Sequence, residues 1–416
     1  MNEHNYIRYR KLKAFGNKIC FMLCRLFPIK GNRISVCIFE GKGGFGCNPK
    51  YIVEELHKRN AEYEFIWFVN DMDKEFPSYI KKVPNTLWSR AYWLSTSKIW
   101  IDNYRKPYGT CKRTGQYYIN TWHGNIGFKS FGLWRGTKFS RIAYLVSKND
   151  SDMIDDVVID SEWSAEIYPK GMLYNGNFIW AGAPRCDVLY GDRTKYKELF
   201  RQQHGISKDA KIVMFAPTFR EGTYNGKRVV FSEVWTLDFK RLLDNLEIRF
   251  GGDWYLCLRV HPQLSSGAKE YKDGKLGDRL IDASHADDMY EVMAAMDAFV
   301  TDYSSAAMDA SYSYMPVFIY ADDIEQYLSD RGGMQWNMST ESKNKVTNNK
   351  EMTPNIDTTF PYPIAQNNDE MENNILNFDE DQYIAMMEQF EKDVSLVFDG
   401  RASKKVADRV ENYLMQ

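Results

Sequence analysis

Short apolar runs recur along this chain, most of them parted by helical stretches, and the series runs twice. Residues 34–39, 65–69, 97–101, 117–121, 144–147 and 178–181 form the first series. After Gly182-Ala183-Pro184-Arg185 it restarts with residues 211–215, 254–260, 298–301 and 316–320. Runs of this length without polar alternation read as strands covered on both faces, and helices between them imply βαβ units and parallel sheets. At 416 residues the chain is too long for one ordinary core. The expected division is an N-terminal segment 1–33, a first parallel-sheet α/β domain 34–185 and a second 186–380. Residues 381–416 follow as a final helix packing back toward the first domain. Residues 347–374, rich in Asn and Pro, read as an irregular surface excursion.

In open parallel sheets ligands bind beyond the carboxyl ends of the strands. His123, Arg220, His261 and Ser304 each stand just past such an end, and that shared placement points to a site. The richest segment is Asn120-Thr121-Trp122-His123-Gly124. An imidazole that is neutral near pH 7 can take a proton from a hydroxyl, and Gly124 and Gly127 let a backbone approach a ligand closely. Arg259 and His261 are two residues apart on one strand, so their side chains leave on the same side and could hold a diphosphate. In Thr301-Asp302-Tyr303-Ser304-Ser305 a strand runs into a helix. Its free N–H groups and two hydroxyls suit a phosphate, and Asp309, a turn later, could accept from a ribose hydroxyl. Ordinary helix capping by Asp302 or Ser304 is the competing reading of that segment.

The seven cysteines fit neither a zinc signature nor a disulfide framework, which points to a reducing, cytoplasmic compartment. A net charge of −2 gives no global attraction to nucleic acid or membrane. The first thirty-odd residues are locally different. Arg8, Arg10, Lys11, Lys13, Lys18, Arg25, Lys30 and Arg33 face one acid, Glu3, and are interleaved with Phe15, Ile19, Phe21, Met22, Leu23, Leu26 and Phe27. Their apolar stretch is far short of the roughly 20 residues that span a bilayer. The segment reads as a basic amphipathic helix on an anionic membrane surface; the alternative is a helix packed on its own domain with a solvated basic face. Gly41-Lys42-Gly43-Gly44-Phe45-Gly46 spells a loose dinucleotide fingerprint. However, Asn48-Pro49 opens the following helix and Asp71 lies too far on, so the loop reads as acceptor-binding.

Seven motifs occur here in the order seen in the CDP-glycerol glycerophosphotransferases of teichoic-acid synthesis: Asn48-Pro49-Lys50, Thr121-Trp122-His123-Gly124, Gly182-Ala183-Pro184-Arg185, Ala216-Pro217-Thr218-Phe219-Arg220, Arg259-Val260-His261-Pro262, Thr301-Asp302-Tyr303-Ser304-Ser305 and Asp399-Gly400-Arg401-Ala402. The chain resembles that family from about residue 34 to 409. The resemblance implies a GT-B-like pair of Rossmann-type domains facing across a cleft, 34–185 on the acceptor side and 186–380 binding the nucleotide. It implies transfer of a polyol phosphate from CDP-glycerol or CDP-ribitol to a hydroxyl of a lipid-linked saccharide or polyol-phosphate acceptor. It also implies peripheral attachment at the cytoplasmic face of the membrane, in teichoic-acid or capsule-type polymer synthesis.

Carried over by position, His123 is the general base, with His261 also catalytic. Arg220, Arg259, His261, Thr301, Asp302, Ser304, Ser305 and Asp309 bind the donor, Arg220 against the charge of the leaving CMP. Asn48, Trp122, Gly124, Asn125 and Lys129 lie on the acceptor side. No cofactor is implied, and a divalent-metal requirement is left open. Two departures stand out: Cys186-Asp187 in place of Asn-Asp, and Asn125-Ile126-Gly127-Phe128-Lys129 where relatives often carry Thr-Pro and a lysine pair. The rival readings are a sugar-nucleotide glycosyltransferase of GT-B type and a non-catalytic membrane-bound assembly factor.

Overall fold

The computed structural model describes residues 3–218, 220–224, 227–231, 236–260, 276–331, 333–341 and 345–415. It divides into two compact units. One holds Met1–Asn125, Ser130–Asp187 and Leu396–Gln416; the other holds Ile126–Lys129 and Val188–Ser395.

Unit one is built on seven parallel strands in the order β3-β2-β1-β4-β5-β6-β7. They are β1 Lys30–Cys37, β2 Glu64–Val69, β3 Ile80–Pro84, β4 Ser97–Asp102, β5 Tyr117–Asn120, β6 Asp156–Ile159 and β7 Asn177–Trp180. The run Phe65, Ile66, Trp67, Phe68 and Val69 is buried throughout because helices cover both faces of the sheet. Strand order reverses between β1 and β4, which makes their carboxyl ends the expected ligand position.

Unit two repeats the plan with six parallel strands, β12-β11-β8-β13-β14-β15. These are β8 Lys211–Phe215, β11 Trp254–Leu258, β12 Leu280–Asp282, β13 Ala298–Thr301, β14 Val317–Tyr320 and β15 Ile364–Ala365. An antiparallel hairpin, β9 Arg220–Tyr224 with β10 Lys227–Phe231, projects after β8. Its switch point lies between β8 and β13.

Three expectations are corrected. Residues 144–147 are not a strand but part of the helix Arg141–Ser151, capped by the Ser140 side chain. The strand comes later, as β6. Ile142, Leu145 and Val146 recur at helical spacing, and the short apolar run was read with the wrong period.

The terminal helix is two helices, Glu380–Asp393 and Ala402–Leu414, parted by Ser395 and Gly400 at positive φ. The second belongs to unit one, where Ala402, Val406, Ala407 and Val410 join the core. Its first turn is held by Asp187, whose carboxylate accepts from the N–H groups of Ala402 at 2.9 Å and Ser403 at 2.8 Å.

Residues 347–374 are not an irregular surface excursion: they end in the helix Asn368–Leu376, and the stretch before it is packed. Val346, Met352, Ile356, Phe360, Tyr362 and Ile364 are buried. Asn348, fully buried, replaces regular structure with side-chain bonds to Thr353 and Ile356, and it accepts from the Thr358 N–H.

Candidate functional site

In unit one, β5 ends at Asn120 and the chain turns through Trp122 at φ 49, a left-handed conformation that an indole-bearing residue rarely adopts. Several bonds hold it there. The Asn48 amide donates to the carbonyls of Thr121 at 3.2 Å and Trp122 at 3.1 Å. Asn120 Oδ1 accepts the Trp122 N–H at 2.8 Å, and Asn48 Oδ1 accepts the Arg185 N–H at 3.0 Å. Asn48 therefore braces this loop from inside the helix Cys47–Arg59, whose N-cap is Gly46. Strain of about 1–3 kcal/mol persists only where surrounding structure over-determines it, and such spots cluster at functional sites.

The turn presents His123. Its Nδ1 lies 2.7 Å from the backbone carbonyl of Asn103, the residue after β4. A carbonyl only accepts, so Nδ1 carries the hydrogen, and in the neutral ring Nε2 keeps its lone pair. Phe39, Tyr104 and Trp122 surround the ring at centroid distances of 5.2, 5.6 and 4.4 Å. Tyr104, Trp122 and Phe131 form a stack, with the Arg105 guanidinium 4.9 Å from the Trp122 ring. The carbonyl of Gly124 and Oδ1 of Asn125 both accept from the Tyr168 hydroxyl. Asn125 is buried, and its NH2 group has no partner among the described residues.

Behind the turn lies a buried polar network. Lys106 Nζ pairs with Asp102, and the Lys106 N–H donates to Asp150 at 3.0 Å. The Tyr118 hydroxyl donates to Asp150 and receives the Asn120 amide. Burial pushes the Asp150 carboxyl up to about 7 against the pull of the Lys106 N–H, and the neighbouring Asp102 adds to the rise. Burial likewise raises Asp102 and depresses Arg105.

In unit two the expected donor residues gather at the carboxyl ends of β8, β11 and β13. Four of the five N–H groups of Arg220 are engaged: Nε and Nη2 donate to Asp323 at 2.7 and 2.8 Å, and Nη1 donates to Asp302 and to the Thr218 carbonyl at 2.8 Å each. Burial opposes its charge, but the bonds to Asp323 and Asp302 outweigh it and raise its pKa. Asp302 also accepts from the Thr218 N–H and hydroxyl, so it organises the turn after β8. The Thr301 hydroxyl is committed to the Ala216 carbonyl at 2.6 Å. Asp309 is buried and accepts from the Tyr290 hydroxyl at 2.6 Å. Arg259 donates to the carbonyls of Ala283 and Ser284, and burial depresses its pKa. Ser304 and Ser305 are half-buried, and Ser304 Oγ accepts from the Ala306 N–H. His261 lies outside the described residues.

Sequence reasoning missed Asn103, Thr218, Asp323 and Tyr327. Asn103 and Asp323 stand just beyond β4 and β14, so the strand-end rule that selected His123 would have found both.

The expected N-terminal helix runs Glu3–Cys24, packs on Leu87–Thr96 and buries Ala14, Asn17, Cys20, Phe21 and Cys24, with the Asn17 amide donating to the Tyr108 carbonyl at 2.8 Å. Leu12 and Phe15 on its other side are 71% and 62% exposed, Ile19, Met22 and Leu23 are exposed in good part, and Leu26 just past its end is 86% exposed. The packed-helix alternative thus holds for one face, while an apolar stripe stays open on the other. Among the described residues, no helix is long and apolar enough to cross a membrane.

Residues 19–356 match the model of a family described as CDP-Glycerol:Poly(glycerophosphate) glycerophosphotransferase. The chain is 28% identical over 354 residues to the teichoic acid poly(glycerol phosphate) polymerase of Bacillus spizizenii, covering 81% of this chain and 85% of that one. It is 28% identical over 391 residues to the polymerase of the same description from Staphylococcus epidermidis, covering 90% of this chain but only 50% of that longer protein. A solved structure of the wall teichoic acid polymerase TagF superimposes with a TM-score of 0.77 at 24% identity, covering 100% of this chain and 99% of that one. The fold is thus the GT-B-like pair of parallel-sheet α/β units expected from the resemblance.

Proposed function

The chain belongs to the CDP-glycerol:poly(glycerophosphate) glycerophosphotransferase family, and on that premise we propose that it transfers a polyol phosphate from a CDP-activated donor to an acceptor hydroxyl in teichoic-acid synthesis. Glycerol phosphate is the favoured group, and the acceptor is lipid-linked. The acceptor oxygen attacks the polyol-bearing phosphorus while His123 Nε2 takes its proton. The bond from that phosphorus to the bridging oxygen breaks, and CMP leaves with the electron pair. Such transfers depend mainly on positioning and charge neutralisation.

The observation that carries this reading is the His123 tautomer. A backbone carbonyl holds the hydrogen on Nδ1, which supports Nε2 as the proton acceptor. The test is incubation with CDP-glycerol, CDP-ribitol or a UDP-sugar together with a lipid-linked acceptor, followed by mass measurement of the product. His123→Ala should cost about 10²–10⁴ in turnover while leaving CDP affinity intact. Near-normal turnover by a folded variant would remove His123 from the base role. A ladder of products would mean polymerisation, and one increment a single addition.

The enzyme works at the cytoplasmic face of the membrane, held there by the N-terminal helix. The support is its apolar stripe, which stays open although the opposite face is packed. Basic residues beside that stripe favour an anionic surface.

A further inference from the structure

Residues Ile126–Lys129 come from the first half of the sequence, directly after the His123 turn, yet they are built into unit two. Their backbone is pinned there. The Gln335 N–H donates to the Phe128 carbonyl at 2.8 Å, Gln335 Nε2 to the Lys129 carbonyl at 3.0 Å, and Trp336 Nε1 to the Gly127 carbonyl at 3.0 Å. Phe128 is buried against Phe360, which in turn meets Trp336. The strap is thus fixed at both its polar and its apolar atoms.

That placement sets Lys129 beside the carboxyl ends of β8 and β13. Its ammonium is 3.5 Å from the Thr218 hydroxyl and 5.9 Å from the centre of the Tyr327 ring. Gly127 stands against Ser305, where a methyl group in place of its hydrogen would come within 3.5 Å of the serine Cβ. One ammonium, the Thr218 hydroxyl and the Ser305 segment therefore share the switch point of this sheet, where open α/β sheets bind ligands.

Arg220 has little left to offer such a ligand. Four of its five N–H groups are committed, and its charge already faces two carboxylates. A donor diphosphate brought here gains from a second cation.

We propose that Lys129 is a ligand of the donor's pyrophosphate, carried into the donor site on the strap, and that Arg220 is the brace beneath it. The inference rests on the CDP-donor reading. It moves Lys129 from the acceptor side to the donor side of the reaction.

The test compares the full-length chain with Lys129→Met and Lys129→Arg by calorimetric titration with CDP and, separately, with cytidine, which has no phosphate. Loss of a charge-assisted bond should weaken CDP binding about 10- to 100-fold. Cytidine affinity should stay level, and Lys129→Arg should recover most of the loss. With CDP-glycerol as substrate, KM should rise in Lys129→Met. Unchanged CDP affinity in Lys129→Met overturns the proposal. So does an equal loss for CDP and cytidine, which would make Lys129 a structural residue. A wild-type chain that binds neither overturns the CDP-donor reading itself.

Discussion

Asp150 lies one step behind the His123 turn and has lost its water without gaining a dedicated cation. Lys106 Nζ is taken by Asp102, and Asp150 is left with the Lys106 N–H and the Tyr118 hydroxyl. Its carboxyl, pushed up by burial to about 7 from 3.8, therefore stays protonated in the folded chain at pH values where the unfolded chain has released the proton. Between those two values the folded state binds more protons, so stability falls as pH rises through the window and levels off above about 7. The rise of a little over three pH units, at about 1.36 kcal/mol each, sets a ceiling near 4 kcal/mol. Movement of Lys106 toward the ionised carboxylate should reduce this to about 2 kcal/mol.

Asp150→Asn keeps an acceptor oxygen for both donors and cannot ionise. Its stability relative to wild type should climb by about 2 kcal/mol between pH 4 and pH 8. Urea unfolding of the two proteins in parallel, at about one-unit pH intervals, measures that difference while other titrating groups cancel. A flat difference over that range would mean that Asp150 is already ionised near pH 4 in the folded state. Below pH 4, a difference that falls as pH rises would then mean that it is held as a carboxylate, with Lys106 as its partner.

Two further perturbations separate brace from ligand and packed face from open face. Arg220→Met leaves Asp302 and Asp323 facing each other without their cation, which should cost about 3–5 kcal/mol, read as a lower thermal midpoint; adding Asp323→Asn should recover part of it. Full stability with only kcat reduced would refute the brace. Leu12→Glu with Phe15→Glu changes two exposed side chains, so folding should shift by no more than about 0.5 kcal/mol. Vesicle co-sedimentation on anionic lipid should fall at least about tenfold, since burying each apolar side chain contributes about 1.5–3 kcal/mol. Unchanged sedimentation would refute attachment through this stripe.

The sheets were legible because strands covered on both faces are written as uninterrupted apolar runs: residues 65–69 and 211–215 admit few other readings. Shorter elements were not. β3 and β12 carry lysines or aspartate, β15 is two residues long, and the helix Arg141–Ser151 contains an apolar tetrad that mimics a strand. The buried stretch 345–365 was illegible for a different reason. Its order rests on Asn348, and an asparagine that organises a buried turn has the same letter as one that faces water. At the site, His123 was legible from its place after a strand. That Asn103 fixes its tautomer was not, because the contact runs through a backbone carbonyl 20 residues away.

Charge is where sequence and structure part most sharply. Arg220 and Lys129 each add one positive charge to the chain, and by motif the arginine looked like the donor's cation and the lysine the acceptor's. Two carboxylates that follow β13 and β14 reverse that order, because they and the Thr218 carbonyl take four of the five N–H groups of the guanidinium. The strap that carries Lys129 is set by Trp336 and Gln335, more than 200 residues downstream. Where a cation stands is thus set by neighbours far off in the sequence. A double-mutant cycle between Lys129 and Thr218, read on CDP affinity, should show coupling of at least about 0.5 kcal/mol; additive losses would refute the shared contact.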